Sequence, residues 1–114
     1  MADWETVREI ALGFPEVEED TSGRTAYRVR GKLFAWEARD RDGAGLAVRV
    51  DRDEKQLILE SNPDLYFSSP HYQGYPGVQV RLERIEPDEL AERLEDAWLL
   101  QAPKRLAAEF LARR

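Results

Sequence analysis

Alternation of apolar and polar residues in short segments is the feature that most constrains how this chain can fold. Residues 25–30, 46–50 and 78–82 alternate with a period of two, which is typical of β-strands that bury one face. Residues 33–39 and 65–67 lie between turn-forming glycine or proline residues, which also favours strands there. The sequence therefore predicts five short strands.

Three amphipathic segments predict helices that flank and interrupt these strands. One helix is predicted over residues 3–13, and a short one begins at Asp51, where Glu54 follows three residues later as in a capping box. The last helix begins at Pro87 and should break or kink at Pro103. The order α-β(3)-α-β(2)-α predicts an α+β fold in two layers, an antiparallel sheet with helices on one face.

Two further groups of residues complete this prediction. The three tryptophans, Trp4, Trp36 and Trp98, fall on predicted apolar faces and are expected in the core. The carboxylates within residues 16–20 repel one another, so this segment is expected to be a solvated loop.

Composition bounds the class of protein. The length of 114 residues corresponds to a single domain over 1–114, and an apolar content of 42% is enough to fill a core. The absence of cysteine excludes disulfides and thiol catalysis, and a single histidine excludes a histidine metal cluster. No phosphate-binding or dinucleotide motif, signal peptide or apolar run of about 18 residues occurs. We expect a cytoplasmic protein without metal, cofactor or catalytic residues.

Three stretches of the chain occur in a characteristic order and spacing. They are Phe14-Pro15 ahead of residues 27–35, Pro70-His71-Tyr72 ahead of a glycine and a valine-rich strand, and Ala97-Trp98 ahead of residues 102–106. In this order they resemble the MmcQ/YjbR-like family of small bacterial proteins over nearly the whole chain. The resemblance implies a fold similar to that of type III secretion chaperones. It also implies DNA binding through a "double wing" motif, and it brings no catalytic residues.

The predicted strands carry an excess of arginine on their outward side. The net charge of −6 excludes a generic polybasic binder, but the outward positions hold more arginine than glutamate. They are Arg28, Arg30, Glu37, Arg39, Arg49, Arg81 and Glu83. A guanidinium group binds two phosphate or carboxylate oxygens together, so the five arginines, with Lys32, are candidate anion-binding residues. Arginine stems also suit an exposed strand surface with no ligand, and this alternative stays open.

The chemically most varied stretch is the loop over residues 68–76. Tyr72 and Tyr75 are candidates for stacking on a base or another flat ligand, with the single histidine, His71, beside them. The alternative is a long connection pinned by prolines, with the tyrosines packed over the sheet edge. A role for His71 as a base toward Ser68 or Ser69 is not predicted, because no nucleophile elbow is present.

The sequence therefore leaves two functional hypotheses. The first is a non-enzymatic binding protein whose Arg-lined sheet face meets an anionic partner, nominally DNA. The second is a protein-interaction or chaperone-like adaptor with no nucleic-acid role. In either case we expect a monomer or weak dimer that does not bind membranes.

Overall fold

A six-stranded antiparallel sheet organises the computed structural model, which describes residues 1–113. The strands are β1 (Val17–Asp20), β2 (Ala26–Val29), β3 (Lys32–Glu37), β4 (Leu46–Arg49), β5 (Tyr66–Phe67) and β6 (Gly77–Val80). Their order across the sheet is β1-β2-β3-β4-β6-β5, so β6 lies between β4 and β5. Every neighbouring pair is antiparallel.

Within residues 1–113, four helices accompany this sheet. They are α1 (Trp4–Leu12), α2 (Lys55–Ser61), α3 (Pro87–Gln101) and α4 (Lys104–Ala112). The first begins at Asp3, whose carboxylate accepts a hydrogen bond from the Thr6 backbone N–H at 2.9 Å. Pro103 separates α3 from α4, as the sequence predicts, because a proline interrupts the helical hydrogen-bond ladder.

The main hydrophobic core lies between the helices and one face of the sheet. Strand residues such as Val48 and Val80 meet an apolar stripe on α3. That stripe consists of Leu90, Leu94, Ala97 and Trp98, each fully buried. Ile58 and Leu59 of α2 pack against the edge of the same core. The predicted two-layer α+β class, with helices on one face, is confirmed.

Two loops cover part of the opposite face of the sheet. Loop 1 (38–45) joins β3 to β4, and loop 2 (68–76) joins β5 to β6. Gly43 ends a turn in loop 1 with φ 92°, and a Cβ there would lie 3.2 Å from the Phe67 ring. Glycine is required at this point because the backbone is left-handed and runs directly against an aromatic side chain.

The prediction of a solvated loop at residues 16–20 is wrong. These residues supply the edge strand β1, because the neighbouring elements provide partners for the carboxylates. Glu16 binds Arg30, Glu19 binds Arg8 and the Tyr27 hydroxyl, and Asp20 binds Arg28. Self-repulsion within the acidic run is offset by these contacts, and the sheet gains a sixth strand.

The predicted capping box at Asp51 is also wrong. Asp51 accepts from the Asp53 backbone N–H at 2.8 Å in a turn, and α2 begins only at Lys55 without a side-chain cap. A third correction concerns Trp36, which is expected in the core. It lies outside the main core, on the face that the loops cover, where Ala47 is its cross-strand neighbour and Gln79 follows on β6. There it packs against a smaller buried cluster of Ala38, Ala47 and Tyr72.

Candidate anion-binding site

An aromatic pocket of about 310 Å³ opens where the two loops meet the sheet. Trp36 and Tyr72 stack with ring centroids 6.3 Å apart, and Tyr75 meets Trp36 edge-on at 6.0 Å. The indole N–H of Trp36 donates to the Tyr72 hydroxyl at 2.9 Å, which fixes both rings. The residues that line this aromatic pocket are Leu33, Trp36, Arg39, Arg41, Asp42, His71, Tyr72 and Tyr75. Flat rings beside guanidinium groups suit a ligand that is both planar and anionic.

His71 stands at the mouth of this pocket on a buried carboxylate. Its Nδ1 lies 2.7 Å from Oδ1 of Asp42, whose side chain is only 10% exposed, whereas the His71 side chain is 59% exposed. The carboxylate accepts from Nδ1 and so directs the other ring nitrogen away from loop 1. His71 is therefore oriented by Asp42, not by Ser68 or Ser69.

Gln79 joins the two loops beneath the pocket. Its side chain is fully buried, and its Oε1 accepts from the Ser69 backbone N–H at 2.9 Å. Its Nε2 donates to the backbone carbonyls of Asp42 and Ala44. One amide thereby satisfies backbone groups of both loops and fixes the distance between Asp42 and the start of loop 2.

Two cations hold loop 2 from its other side. The Lys55 ammonium donates to the carbonyls of Tyr72 and Tyr75, and Arg52 donates to the carbonyl of Gly74. Burial lowers the pKa of Lys55, and the charge of Arg52 lowers it further. These bonds hold the tyrosine-bearing loop in place and keep two positive charges beside it.

Acidic partners occupy two of the predicted anion-binding arginines. Asp20 lies 3.5 Å from Arg28, and Glu16 forms a two-pronged pair with Arg30. The Arg30 hydrogen bond lowers the pKa of Glu16, while bonds from Ser22, with the charge of Arg28, lower the pKa of Asp20. Both carboxylates are ionised at neutral pH, so they oppose the two arginines there.

The other predicted cations have no carboxylate within 4 Å in residues 1–113. They are Lys32, Arg39, Arg49 and Arg81. Arg81 lies over the Phe67 ring at 4.2 Å, Arg49 lies 5.9 Å from the centre of the Tyr75 ring, and Lys32 is exposed at the start of β3. Of the predicted site residues, the structure gathers Arg39, His71, Tyr72 and Tyr75 in one pocket.

Comparison with known proteins places this fold in a family. A family model described as YjbR matches residues 12–100, which includes the whole aromatic pocket. The chain belongs to the YjbR family. The resemblance stated from the sequence is thereby confirmed, and the YjbR match covers both loops and ends within α3.

Relatives of this YjbR chain are recorded without an activity. Proteins of Mycobacterium tuberculosis H37Rv (Rv2570) and Mycobacterium bovis (Mb2600) are each 39% identical over 98% of both chains, and each is called uncharacterized. The crystal structure of Deinococcus radiodurans DR2400, a DUF419 domain, superimposes with a TM-score of 0.72 at 18% identity. That match covers 88% of this chain and 78% of the Deinococcus protein, and it confirms the fold.

Several residues of the site in this YjbR chain are absent from the sequence-based prediction. They are Trp36, Arg41, Asp42, Arg52, Lys55 and Gln79. The sequence gives no signal for Gln79, because residues 78–82 alternate and a glutamine at position 79 falls on the polar side of the predicted strand.

Two negative findings apply to residues 1–113. No cluster of three or more metal-ligating side chains occurs among them. None of the helices they form is long and apolar enough to cross a bilayer.

Proposed function

We propose that this YjbR protein is a non-enzymatic binding protein whose aromatic pocket takes an anionic partner, nominally DNA. The observation that carries the proposal is the combination of three stacked or edge-on rings with the guanidinium groups of Arg39 and Arg41, neither of which has a carboxylate within 4 Å in residues 1–113. Arg39 and Arg41 stand beside these rings, where they are free to meet phosphate oxygens.

The shape of the site favours single strands over duplexes. Bases in a duplex are already stacked on one another, whereas an unpaired base can stack on Trp36 or Tyr75. Sequence preference is expected to be weak, because every base presents a flat face to an aromatic ring.

Much of the net charge of −6 lies away from the loops. Helix α3, on the side of the sheet opposite the loops, carries five carboxylates and one arginine, whereas loop 1 carries Arg39 and Arg41 together with Asp40 and Asp42 and is neutral overall. At physiological salt, charges separated by more than about 8 Å are largely screened, so the charges beside the pocket, and not the net charge, decide the binding.

The first prediction replaces Arg39 and Arg41 by alanine together. We expect the double variant to bind a fluorescently labelled single-stranded oligonucleotide about tenfold more weakly at low salt, with a salt slope reduced by about 0.7 per lost phosphate contact. Fluorescence anisotropy at low and moderate salt measures both quantities, with a duplex of the same sequence alongside.

The matched control is the double variant Arg28→Ala with Arg30→Ala. It removes the same charge, but from guanidinium groups that already have carboxylate partners, so binding should change by less than about threefold. Equal weakening by both variants would indicate a long-range charge effect and no pocket. Flat titrations for single strand and duplex at micromolar protein would end the proposal.

A second prediction removes the acidic partners of Arg28 and Arg30. Glu16→Gln with Asp20→Asn removes the carboxylates from Arg30 and Arg28, so we expect tighter single-strand binding and a steeper salt dependence. The variant Glu9→Gln with Asp88→Asn makes the same charge change elsewhere on the surface and serves as the control. If both strengthen binding equally, net charge alone explains the effect.

The adaptor hypothesis keeps one supporting observation. Leu57 is 69% exposed and Leu100 is 45% exposed, and they line neighbouring grooves between α2 and α3. Exposed leucines of this kind suit a protein partner. Leu57→Glu with Leu100→Glu should abolish capture of such a partner, or any concentration-dependent dimer in sedimentation velocity. A monomeric protein that captures no partner would exclude the adaptor.

A further inference from the structure

A second group of cations lies across loop 2 from the aromatic pocket. Arg49 and Arg52 line a depression of about 220 Å³ beside Pro76, and Arg52 and Lys55 line one of about 270 Å³ beside Gly74. Tyr75 borders both the second of these depressions and the aromatic pocket, so its ring forms a ridge between them.

None of the three cations in this group forms a close ion pair within residues 1–113. Within the described chain, no carboxylate lies within 4 Å of the side-chain nitrogens of Arg49, Arg52 or Lys55. Their contacts are backbone carbonyls and the Tyr75 ring. Asp51 also lines the first depression, where its carboxylate accepts from the Asp53 backbone N–H at 2.8 Å, so two arginines face one carboxylate there.

The pKa of Lys55 reflects both its burial and the positive charge beside it. Its pKa is lowered by burial and by the nearby charge of Arg52. An anion between the two side chains would offset the repulsion and raise that pKa again. Neutral carbonyls satisfy the N–H groups of the two cations without cancelling their charge.

We propose that Arg49, Arg52 and Lys55 form a second phosphate subsite, and that the ligand is a single strand that crosses the Tyr75 ridge. This inference rests on the proposed function, because the aromatic pocket supplies the first contact. A mononucleotide reaches only the pocket, whereas a longer strand places a base beside Trp36 and a neighbouring phosphate beyond Tyr75.

The experiment measures affinity against strand length. Labelled thymidine oligonucleotides of increasing length are titrated at low salt, and a thymidine mononucleotide is used as a competitor. For the unmodified protein, affinity should rise as soon as the strand can span the ridge. Arg49→Ala should remove this rise, weakening long strands about tenfold while leaving the mononucleotide unchanged.

The matched control is Arg81→Ala. Arg81 is also a cation on an aromatic ring without a carboxylate partner, but it stands on Phe67, outside the pocket lining. Its removal should leave the length dependence intact. The thermal midpoints of both variants show that each is folded.

The outcomes separate this inference from the function on which it rests. If no oligonucleotide binds at all, the proposed function fails, and the second subsite fails with it. If oligonucleotides bind and depend on Arg39 and Arg41 but not on Arg49, only the ridge crossing is overturned. Equal weakening of mononucleotide and long strands by Arg49→Ala would mean that the loop is disturbed, which also overturns it.

Discussion

Replacement of Gln79 by leucine should lower the free energy of unfolding by about 2–4 kcal/mol and disable the aromatic pocket. The amide is fully buried and bonds backbone groups at Asp42, Ala44 and Ser69. Leucine has a similar volume but no polar atoms, so it would leave buried backbone groups of both loops without partners. Each such group costs about 1–3 kcal/mol.

Urea denaturation followed by tryptophan fluorescence measures the stability loss, and anisotropy on the folded variant measures binding. Gln56→Leu is the control for stability, because Gln56 is an exposed helical residue whose amide donates to Glu60. This control should leave the free energy of unfolding close to that of the unmodified protein. An unchanged urea midpoint for Gln79→Leu would show that the loops are held by other contacts.

The sequence predicts those elements of the fold whose apolar residues recur with a regular period. A period of two identifies β2, β4 and β6 because each buries apolar residues on the helix side. Edge strand β1 was not predicted, because its four residues, Val17–Asp20, include only one apolar side chain. Its pairing depends on Arg8, Arg28 and Tyr27, which lie elsewhere in the chain. Local charge repulsion was correctly identified, but tertiary contacts override it.

The site was predictable only in its loop residues. Loop 2 was singled out for its histidine and tyrosines, and the structure places them together. Asp42 is absent from the predicted site, because nothing near it in the sequence shows that a residue 29 positions away would bind its carboxylate. The role of Trp36 was missed for a related reason. An aromatic residue on a strand looks the same whether it faces helices or loops.

The arginine-lined face illustrates how sequence counts differ from surface charge. The count of outward arginines treats each guanidinium group as free, whereas Asp20 of β1 binds Arg28 and Glu16, just ahead of β1, binds Arg30. At the same time, Arg41, Arg52 and Lys55 stand outside the predicted strands and were not counted. The position of positive charge therefore follows from strand order and loop path.

Trp98 is the residue whose truncation should cost most stability. Its ring is fully buried, stacks on Phe14 with centroids 5.8 Å apart, and meets Phe110 of α4 at 4.9 Å. Its indole N–H donates to the Pro15 carbonyl at 3.1 Å. A single side chain therefore joins α3 to α4 and to the segment that leads into β1.

Trp98→Ala should lower the free energy of unfolding by about 3–5 kcal/mol, because it opens a large cavity and leaves the Pro15 carbonyl without its donor. Trp4→Ala removes the same side chain from a partly buried position and should cost clearly less, while Trp98→Phe should fall between them. Denaturant titration compares the three variants. The pocket lies on the opposite face of the sheet, so Trp98→Phe should bind single strands as the unmodified protein does. A loss below about 1 kcal/mol for Trp98→Ala would mean that α4 is not docked through this ring.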